Sequence, residues 1–138
     1  MTYQTGRPWT PKYSANISNT SQLNDRPNAV AGCDPYAGFQ TVQQWVNPAC
    51  FSATPANSFG NLGRNTVIGP KLFNLDFAID RTFTIVEKVH LQFRGEIFNI
   101  LNHPNFNLPA TQYDSPSFGS LTSAMDPRQL QFGLKVIY

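Results

Sequence analysis

Asp76 and Asp80 fall on one face of an alternating run, and paired carboxylates are what glycoside chemistry uses. On an extended strand four residues at about 3.3 Å each set them roughly 13 Å apart. The reaction needs about 5 to 9.5 Å, so the pair reads as part of a solvated face. His90 and His103 have no Cys, Asp or Glu at ligand spacing, which leaves metal binding without support. No G-x-S-x-G elbow or phosphate-cradling glycine loop is present, and Cys50 has no evident base partner. We therefore assign no catalytic residue, no cofactor and no metal, and expect the chain not to be an enzyme.

Cys33 and Cys50 lie in a polar, Pro-rich stretch, and their spacing is wrong for a C-x-x-C metal or redox motif. In an oxidising compartment they are a possible disulfide, closing a loop worth roughly 3 kcal/mol. In the cytosol they would be two ordinary thiols, and the sequence leaves both open.

The elements that hold these residues follow from composition and period. The 138 residues suffice for one domain, with only 13% charged residues, 13% aromatics, eleven Phe, nine Gly and eleven Pro. This profile is rich in strands and loops. The ten Lys and Arg are scattered at a net charge of +2, so there is no basic stripe to track a phosphate backbone, and nucleic acid is not an expected partner. No stretch approaches 18 consecutive apolar residues, which excludes a transmembrane helix. The N-terminus lacks a charged start followed by an apolar core, so no signal peptide is expected in this chain.

From Phe73 to Ile85 the apolar residues fall on odd numbers, interrupted by Arg81. A second run places Val89, Leu91, Phe93, Gly95 and Ile97 on one face. A third alternates Leu130, Phe132, Leu134, Val136 and Tyr138 with Gln129, Gln131, Gly133, Lys135 and Ile137. A period of two over such lengths is a strand signal. The first two runs form a hairpin around a three-residue turn, Val86 to Lys88. The register in which paired numbers sum to 174 sets Asp80 opposite Arg94, whereas the alternative opposes it to Glu96. The expected division is a single segment over residues 1–138: a partial strand at 1–12, a long loop at 13–72, the hairpin at 73–101, a second loop at 102–127 and a terminal strand at 128–138. Ser58 to Leu62 and Ser117 to Leu121 echo each other and read as a shared way of leading a loop into a strand.

Strands of eleven to thirteen residues match what a tilted strand needs to cross a bilayer, about nine to eleven, and exceed the usual five or six of soluble sheets. One short turn against two long loops is the asymmetry of outer-membrane barrels, which places the turn in the periplasm and the long loops outside the cell. Gln131, Gly133, Val136 and the terminal Tyr138 resemble the C-terminal signal read by the outer-membrane barrel assembly machinery. The expected fold is all-β: an antiparallel sheet of about three to five long strands with two long loops, part of a transmembrane barrel and incomplete by itself. Asp80 and Arg94 form a lumen-facing charge pair in this reading. Trp45, Phe51, Phe59, Phe106, Tyr113 and Phe118 either form a ligand-facing loop surface or pack the loops together. Arg81 falls on the lipid face, where it must snorkel or be turned inward by a bulge.

Several segments together resemble the C-terminal end of TonB-dependent receptor-like (Oar-like) outer-membrane proteins of the Acidobacteria type. They are Gly6-Arg7-Pro8, Trp45 to Phe51, Phe59 to Thr66, Gly69-Pro70, Leu91 to Glu96, Phe98-Asn99, Asn102 to Phe106, Asp126 to Gln129 and Gln131 to Lys135. The resemblance implies part of a transporter-like barrel with a plug and a TonB contact elsewhere, serving uptake or surface binding in the parent protein. Its partners would be the remaining strands of that barrel, outer-membrane lipid and the assembly machinery. The second expectation takes Met1 as the true start: a small structural β protein whose open edges pair with copies of itself in an oligomeric barrel or fibre.

Overall fold

In the computed structural model, residues 1–21 and 23–138 are described. The long expected loop at 13–72 includes Gln22, which lies outside them. The chain divides into two compact units, one of Met1–Gln4, Leu72–Asn105 and Met125–Tyr138, the other of Thr5–Lys71 and Phe106–Ala124. The fold is all-β: the one helical feature among the described residues is a single 3-10 turn, Pro48–Cys50.

In the first unit β1 (Thr2–Gln4) pairs antiparallel with β6 (Leu72–Asn74). Three long strands, β7 (Phe77–Val86), β8 (Val89–Phe98) and β9 (Gln129–Ile137), form an antiparallel sheet in the order β7-β8-β9. The 73–85 run is thus not one strand. It stops at Asn74 and restarts at Phe77, where the Asp76 carboxylate accepts from the Asn99 backbone N–H at 3.0 Å and from the Asn74 amide at 2.7 Å. A side chain binding the backbone in this way competes with the strand ladder and breaks the run.

The hairpin register keeps a sum of 174 from Phe77↔Ile97 to Thr84↔His90, with Asp80 opposite Arg94. It then shifts: Val86 pairs with Val89, and Ile85 is the extra residue of a bulge. The expected three-residue turn therefore shortens to Glu87 and Lys88, because the bulge absorbs the odd residue. The β8–β9 pairing runs from His90↔Ile137 to Phe98↔Gln129. It sets Leu91, Phe93, Gly95 and Ile97 against Val136, Leu134, Phe132 and Leu130, so all three strands turn their apolar residues to one face. Phe132 lies over Gly95, and the Phe93 and Phe132 rings stack at 6.2 Å between centroids. A Cβ on Gly95 would stand 3.2 Å from the Ile79 methyl and 3.4 Å from that ring, so the glycine seats the aromatic residue.

The second unit gathers most of the two expected loops around a core of their own. Trp9, Val46, Cys50, Phe51, Leu62, Val67 and Phe118 form a buried cluster, with Cys33, Tyr36, Trp45, Leu108 and Tyr113 packed around it. Phe118 meets Trp9, Phe51 and Tyr113 edge to face, at 6.2, 5.4 and 5.5 Å between centroids, spacings favourable for aromatic pairs. Short ladders frame the cluster: β2 (Pro8–Trp9) with β5 (Val67–Ile68), and β3 (Asn28–Ala29) with β4 (Phe51–Ser52). Thus Phe51 and Phe118 pack the loops, whereas Phe59 stays exposed. The two echo segments differ accordingly: Leu62 and Leu121 are both buried, but Phe118 is buried and Phe59 is not. Gly119, at φ +77°, turns its segment inward by a conformation that Gly60 does not adopt.

Candidate functional site

Two surfaces stand out, one in each unit. The first is the apolar face of the β7-β8-β9 sheet. Ile79, Phe83, Leu130, Phe132, Leu134 and Val136 are each about half exposed or more, and together they make a contiguous apolar surface far beyond isolated exposed residues. Its strands are ten, ten and nine residues long, the length of a tilted bilayer crossing. Arg81 sits on this face opposite Phe93, and the bulge lies beyond it at Ile85, so its side chain is not turned inward. Its guanidinium instead reaches along the strand to 6.0 Å from the Phe83 ring centroid, consistent with snorkelling.

The opposite face is polar. Asp80 and Arg94 are cross-strand partners in register, but the expected charge pair between them is not formed. Arg94 donates to Glu96 on its own strand at 2.6 and 3.1 Å, and Asp80 accepts from the Gln92 amide at 3.0 and 3.1 Å. Residues two apart on a strand share a face, and the long arginine bonds the long glutamate along its own strand, leaving the short aspartate to its diagonal neighbour. Gly133, opposite Arg94, adds no side chain beside it. Gln131 also lies on the polar face, Val136 on the apolar one, and Tyr138 follows the end of β9 fully exposed.

His90 hydrogen-bonds Thr84 and His103 hydrogen-bonds Asn105, each at 3.2 Å. Among the described residues no three His, Cys, Asp or Glu side chains gather as a metal site would require. Cys33 and Cys50 are joined as a disulfide, with Cα atoms 5.3 Å apart.

The second surface is an open cleft of about 640 Å³ in the unit of Thr5–Lys71 and Phe106–Ala124. One wall is the Thr10–Lys12 segment, held where the Lys12 backbone N–H donates to Thr111 and the Tyr13 N–H to Asp25, at 2.9 and 2.8 Å. The other wall joins Arg26 and Pro27 to the segment at Phe59–Leu62. The Leu62 N–H donates to Pro27, the Asn28 side chain accepts from the Asn61 backbone N–H at 2.9 Å, and the Asn61 side chain accepts from the Ala29 N–H at 2.7 Å. The approach is so close at Gly60 that a Cβ there would overlap the Arg26 and Pro27 carbonyls. Glycine at position 60 is therefore what brings Phe59 beside Arg26.

Lys12, Arg26 and Arg64 line this cleft against a single carboxylate, Asp25. The Ser18 N–H donating at 2.7 Å holds Asp25 below the usual carboxylate range, so the anion is already satisfied. Lys12 donates to the Asn24 side chain at 2.8 Å. No hydrogen bond or ion pair engages the Arg26 or Arg64 guanidinium among the described residues. Reading by spacing missed this cluster because its cations come from positions 12, 26 and 64, which no local motif links. Phe59 was the one legible signal, as a loop aromatic.

A sheet of bilayer-crossing strands, polar on one side and apolar on its exposed other side, is the wall of a membrane β-barrel. The family model of the outer membrane beta barrel domain matches residues 1–131, and the chain belongs to that family. Its location is the outer membrane. No curated protein and no solved structure matches the chain.

Proposed function

We propose that the chain supplies strands and folded loops to a larger TonB-dependent receptor-like barrel, whose work is uptake or surface binding at the outer membrane. The observation that carries this reading is the β7-β8-β9 sheet, amphipathic across all three strands yet too narrow to close, since about eight strands is the smallest barrel. In this arrangement the Glu87–Lys88 turn faces the periplasm and the long loops, 13–72 and 102–127, face the exterior. Gln131, Gly133, Val136 and Tyr138 act as the assembly signal, lipid covers the apolar face, and no catalytic step is involved.

Cysteine labels test the orientation on intact cells. Phe59→Cys should react with an impermeant maleimide and Lys88→Cys only after the outer membrane is opened; the reverse pattern would sink the reading. Energised uptake by the parent protein should stop on collapse of the proton gradient. Deleting Tyr138 should lower the amount of chain recovered in the outer membrane several-fold, and undiminished recovery would remove the assembly signal from the proposal.

The open ladders of β7 and β9 favour a second reading, in which copies of this chain complete the sheet by pairing at these edges. Electron microscopy of the purified chain separates the two: rings or fibres support self-assembly, and dispersed particles exclude it.

A further inference from the structure

The cleft has a chemistry that the barrel itself does not need. Its three cations face one carboxylate already committed to Ser18, so an anion entering it meets a net positive charge. Asn24, Asn65 and Thr111 add amide and hydroxyl groups to the lining. The Thr10 hydroxyl and Asn65 bind each other, at 2.7 and 3.3 Å, and so hold the rim in place, while the Asn65 amide keeps donors to spare. Phe59 stands at this polar rim with 68% of its surface exposed, and among the described residues its ring joins no aromatic pair. The volume lies within the range of about 300–1,000 Å³ typical of small-ligand sites.

We propose that this cleft binds a short acidic oligosaccharide. The Arg26 and Arg64 guanidiniums take its carboxylates by charge-assisted, planar hydrogen bonding. The amides and hydroxyls take ring hydroxyls, and the C–H face of one sugar ring lies on Phe59. A phosphate or carboxylate ligand without sugar rings would leave Phe59 and the amide rim unused, and a neutral sugar would leave two guanidiniums unpaired. The inference deepens the surface-binding reading and rests on it only for the side of the membrane from which the ligand comes.

Calorimetric titration of the full chain folded in detergent micelles, with trigalacturonate as the probe, tests it. The expected result is saturable binding, weakened about tenfold or more by combined Arg26→Gln and Arg64→Gln, and lost in about 1 M salt, where the screening length falls to about 3 Å. Phe59→Ala, at an exposed position, should weaken binding without changing the thermal midpoint. Arg64→Lys, which keeps the charge but loses the planar fork, should weaken binding, though less than the double variant does. Maltotriose or inorganic phosphate binding as tightly as trigalacturonate, an unweakened double variant, or no saturable heat would overturn the proposal. If the double variant fails to fold, Phe59→Ala and the two control ligands decide. A wrong labelling pattern on intact cells would instead overturn the receptor reading and leave this titration standing.

Discussion

Two carboxylates of the loop unit accept hydrogen bonds from nearby serines that favour their ionised form. Asp114 accepts from the Ser14 hydroxyl and, at 3.1 and 3.2 Å, from the Ser14 backbone N–H, and these bonds hold its carboxyl below the ordinary value of 3.8. Asp25 is lowered in the same direction by the Ser18 N–H. A carboxyl whose folded-state pKa lies below its unfolded value binds fewer protons when folded. Its stabilisation is therefore present above pH about 4 and is lost as the pH falls through the folded value. Tyr113 shifts the other way: burial first, then Tyr13, raises its phenol, so its contribution is lost only as the pH climbs past 10. We expect Asp114→Asn to lower the denaturant midpoint at pH 7 and to narrow the gap between the wild type and the variant at pH 3. A gap that stays constant across that range would show that the Ser14 contacts do not favour the ionised form.

Among the elements, the strand runs were legible because burial on one face forces a period of two, and the register because Asp80, Arg94 and Glu96 discriminate between pairings. The bulge at Ile85 was not legible: it lies between Thr84 and Val86, and parity changes there without any mark in composition. Nor was the break at Leu75-Asp76, which depends on Asn99 arriving from the far end of the hairpin. Asparagine makes most of the tight turns, for six of the eight non-glycine residues with positive φ among those described are Asn. Two asparagines of the segment after β8 do more than turn. The Asn99 amide exchanges two bonds with the His103 backbone, both at 3.0 Å, and the Asn105 amide exchanges two with the Phe73 backbone, both at 2.8 Å. Buried Asn105 thus substitutes for a missing strand partner beside β6. Asn105→Ala leaves the Phe73 N–H and C=O without that partner and should destabilise the first unit by about 1–3 kcal/mol. Faster amide exchange at Phe73 is the direct readout, and unchanged exchange in Asn105→Ala would contradict the role.

At the scale of the whole molecule, the long loops prove to be a folded unit, and the sequence hides this because its core has no period. Trp9, Val46, Leu62 and Phe118 come from four separate stretches, each bounded by Pro, Gly or Asn, and only their convergence makes a hydrophobic centre. Such a core is small, and irregular backbone supplies few ladder bonds, so a covalent link matters more here than in the sheet. The Cys33–Cys50 disulfide, with buried Cys50 in the core cluster, closes a loop 17 positions long. On the chain-entropy model such closure is worth roughly 3 kcal/mol. Both tryptophans of the chain, Trp9 and Trp45, lie in this unit, whereas β7, β8 and β9 contain none. Tryptophan emission therefore reports the loop unit alone, and far-ultraviolet circular dichroism is dominated by the long strands. Combined Cys33→Ser and Cys50→Ser, or reduction of the wild type, should lower the emission-detected thermal midpoint while the strand signal holds. A strand transition that falls in step would mean that the two units unfold as one. An emission midpoint unmoved by reduction would show that the apolar cluster holds the loops without the bridge.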